Sequence, residues 1–354
     1  MSSLIVEVCK IDNVQKHPNA DKLDVATIKG WNCIVGRNEY TPGDLVVFIP
    51  PDSLIPDSLI EERKLDYLKN GNRIRAVKLR GIVSQGLILS IPTGSKWKEG
   101  QDVAKELGIT KWEPPVKQIQ GASKTGRRRS NPNFYKYTDI ENVRNYNDIF
   151  KDGDDVIITE KIHGSNWRAG NLRRGTRGFW NWLLGRLFGE FEFVYGSHNV
   201  QLDAFKARRS FYKGNPYGQI VEKYRIKDVV PPGYTVYGEI YGKGIQDLTY
   251  GFEEVELAVF DVMKDGEYLS WPEMKDFCKA RSLPTVPVLF VGQFSQDVLA
   301  AHTRGYSRLC PSQIREGCVV RSISEDRHMK IGRKILKSIS EDYLTRKGEA
   351  TEYK

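Results

Sequence analysis

The stretch ITEKIHGSNWRAG, residues 158–170, decides how this chain is read. An apolar run ends in Thr159 and Glu160, and Lys161 follows. His163 stands two places on, Gly164 directly after it, and Asn166 three places after the histidine. A lysine at a strand end, hard against a His-Gly turn, can be a nucleophile. The amine is a weak one unless burial or neighbouring cations help it shed its proton. A surface lysine before a turn is commonplace, so the weight comes from the rest of the chain.

Further along, short strand-like runs each end in a polar group. VYGSHN (194–199) carries His198, and VYGEIYGKGIQ (236–246) places Glu239 between glycines. VFDV (259–262) sets Phe260 beside Asp261, and EGCVVR (316–321) opens on Glu316. GRKILKSIS (332–340) supplies Lys334 and Lys337. Three carboxylates, an aromatic ring and several cations at strand ends suit a nucleotide and metal site. The ring would stack a base, the carboxylates would hold a ribose hydroxyl and Mg²⁺, and the lysines would offset phosphate charge.

The 354 residues are enough for two domains. Residues 1–104 read as short Val- and Ile-rich strands with one short helix, DSLIEERKLDYL, and suggest a small β-barrel. Residues 105–135 read as a linker or surface loop with Arg127, Arg128 and Arg129 free to tether or to touch phosphate. Residues 136–354 alternate strands and helices, giving an α+β domain on antiparallel sheets. WPEMKDFCKARS is expected as a helix with a Ser270–Glu273 capping box, and SQDVLAAHTRG as one capped by Ser295.

A net charge of +9 and a pI near 9.1 suit a polyanionic partner. The basic run Arg73, Arg75, Lys78 and Arg80 could track a phosphate backbone, and Trp31 or Tyr40 could stack a base or sit in the barrel core. The five cysteines form no CxxC pair, which argues against a zinc site or a disulfide framework and for a reducing compartment. The N-terminus lacks the form of a signal peptide. FWNWLLGRLFGEFEF (179–193) is too short to span a bilayer and reads as a packed insertion or hairpin, or as a docking loop. A cytoplasmic protein, or a nuclear one in a eukaryote, is expected, with no membrane partner.

The ordered series resembles the covalent nucleotidyltransferase superfamily of ATP-dependent ligases and mRNA capping enzymes. EKIHGSN is similar to its motif I, YGSHN to motif Ia, VYGEIYG to motif III, VFDV to motif IIIa, EGCVV to motif IV and RKILKSIS to motif V. Histidine two places after the lysine, and GKGIQ after motif III, resemble the RNA ligase branch. VQKHPNADKLDVATIKGWNCIVG followed by YTPGDLVVFIPPDSLIP and RIRAVKLRGIVSQGL resembles an OB-fold module seen in tRNA-binding domains. An OB domain ahead of the ligase domain is similar to one family of RNA ligases that seal 3′-OH/5′-phosphate nicks. DNA ligases and capping enzymes usually carry an OB domain after motif V; only 17 residues follow Lys337 here.

The resemblance implies an N-terminal OB-fold barrel followed by an antiparallel-sheet, ATP-grasp-like nucleotidyltransferase domain. It implies ATP and Mg²⁺ (or Mn²⁺), lysyl-AMP on Lys161, and a monomer that joins RNA at a nicked duplex. His163 is implied beside the phosphates or metal water, Asn166 on a phosphate or the RNA 5′ end, and Glu160 near adenine. Glu239 would touch the ribose or the metal, Phe260 would stack adenine, and Asp261 and Glu316 would help hold the metal. Lys334 and Lys337 would contact the AMP phosphate. Two positions depart from the family pattern. His198 stands where motif Ia commonly has arginine, and the second motif V lysine lies upstream at Lys334, with Ile339 two places after Lys337. A GTP-using capping-type guanylyltransferase and an inactive RNA- or tRNA-binding protein are the rival expectations.

Overall fold

A computed structural model describes residues 4–65, 71–112, 131–174, 189–202 and 215–346. Arg127–Arg129 and the tip of the 173–190 insertion lie outside the described residues. The chain divides into two compact units. Unit 1 comprises residues 1–115, 140–148 and 337–354; unit 2 comprises 116–139 and 149–336.

Unit 1 is built from short antiparallel strands. They are β1 (Glu7–Lys10), β2 (Asn13–Lys16), β3 (Leu23–Ile28), β4 (Trp31–Gly36), β5 (Leu45–Ile49), β6 (Ser53–Leu54), β7 (Ala76–Leu79), β8 (Ile82–Gln85), β9 (Leu87–Ser90), β10 (Thr110–Lys111) and β11 (Glu141–Asn142). The helix α1 (Asp57–Glu62) follows β6. β5 lies between β1 and β9 and is buried on both faces. Val47 and Ile49 join one cluster with Val6, Val8 and Leu89, while Val46 and Phe48 join another with Ile28, Trp31 and Cys33. A strand buried on both sides reads as an unbroken apolar run, which is what LVVFI is. β3 and β4 alternate buried and half-buried residues, as strands with one covered face do.

Trp31 is 1% exposed in this core and Tyr40 is buried with its hydroxyl on Ser90, so neither is free to stack a base. Residues 105–112, expected in a linker, belong to unit 1. Ile109 is buried in its core and β10 pairs with β6. The burial of one isoleucine in a polar stretch has no periodic signature, which is why sequence pattern ended the domain too early.

Unit 2 holds two sheets. The first contains β12 (Asp155–Lys161), flanked by β19 (Val288–Gln293) and β20 (Gly317–Ser322), both antiparallel to it. The second runs in the order β15 (Gln201–Leu202), β14 (Phe191–Ser197), β13 (Ser165–Arg173), β16 (Tyr234–Tyr241), β17 (Glu256–Lys264) and β18 (Glu267–Tyr268). α2 (Pro216–Lys223) and α3 (Ile226–Val229) precede β16. α4 (Trp271–Ala280) opens with the expected capping box, and α5 (Gln296–Thr303) is capped by the Ser295 hydroxyl. A small hairpin, β21 (Arg327–His328) and β22 (Gly332–Arg333), precedes β23 (Ile335–Ile339) in the chain; from Lys337 onward, α6 (Glu341–Leu344) included, the residues belong to unit 1.

Trp167, Ala169, Val236 and Ile240 pack with Tyr217 and Ile220 of α2 in the main core. The opposite face of β13 and β16 carries Asn166, Arg168, Tyr237 and Glu239, because side chains alternate along a strand. Residues 134–137 cover part of that face: the Arg168 guanidinium donates to the Phe134 carbonyl at 2.7 Å, and the Tyr237 hydroxyl to the Tyr135 carbonyl at 3.0 Å. β13 and β14 stay paired out to Arg173 and Phe191, so the base of the 173–190 insertion is a hairpin. All five cysteines are free, and no helix among the described residues is long and apolar enough to cross a membrane.

Candidate active site

β12 leaves the first sheet at Lys161, and β13 enters the second at Ser165. The three residues between, Ile162, His163 and Gly164, therefore switch the chain from one sheet to the other. Lys161 is the last residue of β12 and pairs with Gly317, the first of β20. Glu316 stands just before that strand, so its carboxylate reaches the amine: Lys161 Nζ to Glu316 Oε1 is 2.7 Å. Glu316 is fully buried. Burial would raise its pKa, but Lys161 and His163 outweigh it and hold the carboxyl below its ordinary range.

His163 is 2% exposed and held at three points. Its backbone N–H donates to the Tyr250 hydroxyl at 2.6 Å, ring Nε2 lies 2.7 Å from Asp247 Oδ1, and Nδ1 lies 3.7 Å from Glu316 Oε2. Gly164 has to be glycine. A Cβ there would sit 2.2 Å from the Ile240 carbonyl oxygen and 2.8 Å from Glu239 Cγ. This close approach sets Glu239 against the turn, and Glu239 faces Asn166 directly across β16 and β13. Gln246 Nε2 donates to the Gly164 carbonyl at 3.2 Å. Lys161, His163, Asn166, Glu239 and Glu316 thus gather around one turn. Gly164→Ala is expected to destabilise the protein by about 1–3 kcal/mol, since backbone cannot yield to the added methyl. A urea midpoint equal to wild type would contradict this.

Glu160 points to the other side of β12 from Lys161. Its Oε2 accepts the Arg308 N–H at 2.7 Å, while Oε1 is buried with no partner among the described residues. Burial raises its pKa, against Ser307 and Arg308. Asn166 Oδ1 and Glu316 Oε2 are likewise buried acceptors without a hydrogen-bond partner. Phe260 sits at a bulge, where Tyr237 pairs with Asp261 and Gly238 with Val259, and its ring lies 4.7 Å from that of Tyr137. A bulge re-aims the side chain it carries.

Three expected roles change. Asp261, expected at a metal, is fully buried and already taken. It accepts from Arg333 at 2.7 Å, from the Tyr137 hydroxyl at 2.9 Å, and lies 3.2 Å from Arg321. Burial works against both guanidinium charges, yet Asp261 outweighs it and raises the pKa of each. Lys334 Nζ binds Asp154 at 2.6 Å, and Asp154 precedes β12. That places Lys334 at the far end of the strand from Lys161, roughly 20 Å away at about 3.3 Å per residue.

Arg73 is buried against Asp52, with its guanidinium 3.3 Å over the Trp112 ring, so it does not meet a backbone phosphate; Arg75, Lys78 and Arg80 remain exposed. His198 has its pKa lowered to about 4, first by burial and then by Arg168 and Lys136. At neutral pH it offers an uncharged imidazole rather than a cation. Lys337 is 3% exposed on β23 and falls in unit 1.

The His198 shift predicts a sign. A folded-state pKa below the unfolded value stabilises the fold above about 6.5, and that contribution is lost as pH falls toward about 4. Wild type should therefore lose stability relative to His198→Gln over this window. Urea unfolding of both proteins across it checks this, and parallel curves would contradict it.

Asp247, Tyr250 and Gln313 escaped the sequence reading. Tyr250 is 2% exposed; its hydroxyl anchors His163, and its N–H donates to Gln313 at 2.8 Å. These residues sit in loops with no period. For Asp247 and Tyr250 the one available signal was the DLTYG segment directly after the GKGIQ run.

Among the described residues no group of three or more His, Cys, Asp or Glu side chains is gathered to hold a metal. Glu316 Oε2 and Glu239 fit Mg²⁺ or Mn²⁺ in another way. Such ions take oxygen ligands and commonly use one or two carboxylates together with substrate phosphates.

Comparison with known proteins bears on the family and the fold. A family model described as RNA ligase matches residues 154–339, and an OB-fold domain model matches residues 5–91. No curated protein matches. Among solved structures, Naegleria gruberi RNA ligase with PPi is 22% identical, with a TM-score of 0.75, over 97% of this chain and 98% of that one. Lysine-mutant forms of that ligase, one with AMP and Mn at a TM-score of 0.74 and one with ATP and Mn at 0.75, are each 22% identical over 96% of this chain and 98% of theirs. The fold is α+β, with the OB-fold at the N-terminus.

Proposed function

Because this chain belongs to the RNA ligase family, we propose that it is an ATP-dependent ligase joining RNA 3′-OH and 5′-phosphate ends at nicks, with Lys161 as its nucleophile. The observation that carries the reading is Lys161 at the sheet junction, 2.7 Å from buried Glu316, with His163 and Glu239 on the same turn. The solved structures of the Naegleria gruberi ligase with ATP, AMP and Mn support the choice of nucleotide and ion.

The chemistry is three displacements at phosphorus. Lys161 Nζ attacks the α-phosphorus of ATP; a P–N bond forms and pyrophosphate leaves. An oxygen of the RNA 5′-phosphate then attacks the lysyl-AMP phosphorus and the P–N bond breaks. The RNA 3′-OH attacks the 5′-phosphorus last, forming the phosphodiester and releasing AMP. A divalent ion held by Glu316 and Glu239 would neutralise phosphate charge. Positioning and charge supply most of the catalysis in such reactions.

The residues divide the work. Glu316 and His163 fix the amine at the strand end. Asn166 Oδ1 and Glu160 Oε1, both buried acceptors without partners, would take donors from the nucleotide or the RNA end. Phe260, set by its bulge against Tyr137, would stack the adenine. His198 would hydrogen-bond the ribose or a phosphate as a neutral ring.

Label transfer from α-labelled ATP and α-labelled GTP separates this from a capping-type reaction. Transfer from ATP alone is expected; transfer from GTP would move the assignment to a guanylyltransferase. No transfer from either would favour an RNA-binding protein without transferase activity.

A further inference from the structure

The β7–β8 hairpin of unit 1 is left over by the site above. Residues Tyr67 to Lys98 contain no acidic side chain. Within them β7 is exposed beyond its half-buried first residue, Ala76: Lys78 and Arg80 are exposed, and Val77 and Leu79 are 43% and 41% exposed. Val77 and Leu79 share one face of the strand, since side chains alternate, and Ile82 faces Leu79 across the hairpin.

The tip is built rigidly. Arg80 and Gly81 both have positive φ, 45° and 94°, with Leu79 paired to Ile82, which is a two-residue turn of the type that matches strand twist. A second loop then latches it. His17 is fully buried; its Nδ1 accepts the Asn19 N–H at 3.0 Å, leaving Nε2 to donate to the Leu79 carbonyl at 3.2 Å. Asn19 Nδ2 donates to the Arg80 carbonyl at 2.9 Å. Cations alone would keep an edge strand from pairing with another chain. They would not need a tip whose carbonyls are tied down from a separate loop.

We propose that the β7–β8 hairpin is an RNA-docking element, with Lys78, Arg80 and Arg75 on phosphates and Val77 and Leu79 against the sugar and base faces of the strand. This rests on the reading of the chain as acting on RNA. Phosphate contacts carry affinity and make it salt-dependent, while apolar contacts add affinity without that dependence.

The test uses the full chain, a nicked RNA duplex and two double variants. Lys78→Gln with Arg80→Asn keeps a residue that tolerates positive φ at the turn. It should weaken binding about tenfold near 0.1 M salt and reduce the slope of log affinity against log salt by about 2. Val77→Ser with Leu79→Ser should weaken binding and leave the slope unchanged. AMP transfer to Lys161 and the urea midpoint should match wild type in both. Wild-type affinity and slope in both variants would overturn the proposal. A wild type that takes no AMP, with variants that still lose RNA binding, would instead remove the ligase reading and leave the docking element standing.

Discussion

Lys161→Ala is expected to abolish sealing of a nicked RNA bearing an ordinary 5′-phosphate while still sealing a strand already adenylylated at its 5′ end. The split follows from where the lysine acts. In the proposed mechanism its amine is the atom that becomes bonded to phosphorus in the first step and is released in the second. Without it neither step has a nucleophile or a leaving nitrogen, and the loss should exceed about 10³-fold, as for other enzymes that lose a covalent nucleophile. The last step needs only the 3′-OH, the activated phosphate and the charges around them. Glu316, His163 and Glu239 are still present in the variant to serve that step. Loss of sealing on both substrates would instead mean that the variant had lost the fold or the RNA. Retained sealing on both would remove Lys161 from the mechanism.

Asp261→Ala should cost about 3–5 kcal/mol of stability, because it leaves a buried ion pair broken on one side. Arg321 and Arg333 are 3% and 6% exposed, and both turn toward this carboxylate. Glu325 also pairs with both, but it cannot offset two buried guanidinium groups alone. Tyr137 would lose the acceptor for its buried hydroxyl and, with it, the contact that sets its ring against Phe260. Chemical unfolding of unit 2 measures the loss. The outcome also separates two accounts of this residue. A metal ligand, once removed, would raise the Mg²⁺ concentration needed for AMP transfer and leave the unfolding midpoint in place.

That contrast shows where the sequence was legible. The motif strands, the Ser270–Glu273 cap and the place of Lys161 at the end of β12 were readable because strand pattern and cap chemistry are local. Asp261 was not. A carboxylate beside an aromatic residue looks the same in sequence whether it waits for a metal or already holds Arg321 and Arg333. Those partners are 60 and 72 residues away. Lys334 failed for the same reason, since Asp154 is 180 residues distant in the chain. Arg73 looked like one member of a basic run, and only the fold puts Asp52 and Trp112 around it. Tyr250 and Asp247, which position His163, lie in a loop, and their contacts with it are tertiary, 87 and 84 residues apart in the chain.

The central claim is that Lys161 carries AMP. Wild-type protein incubated with ATP and Mg²⁺, digested and mapped by mass spectrometry, tests it most directly. The account predicts one AMP adduct, on the peptide containing Lys161, discharged when nicked RNA is added. An adduct on any other lysine, or none under conditions in which the protein seals RNA, would contradict it.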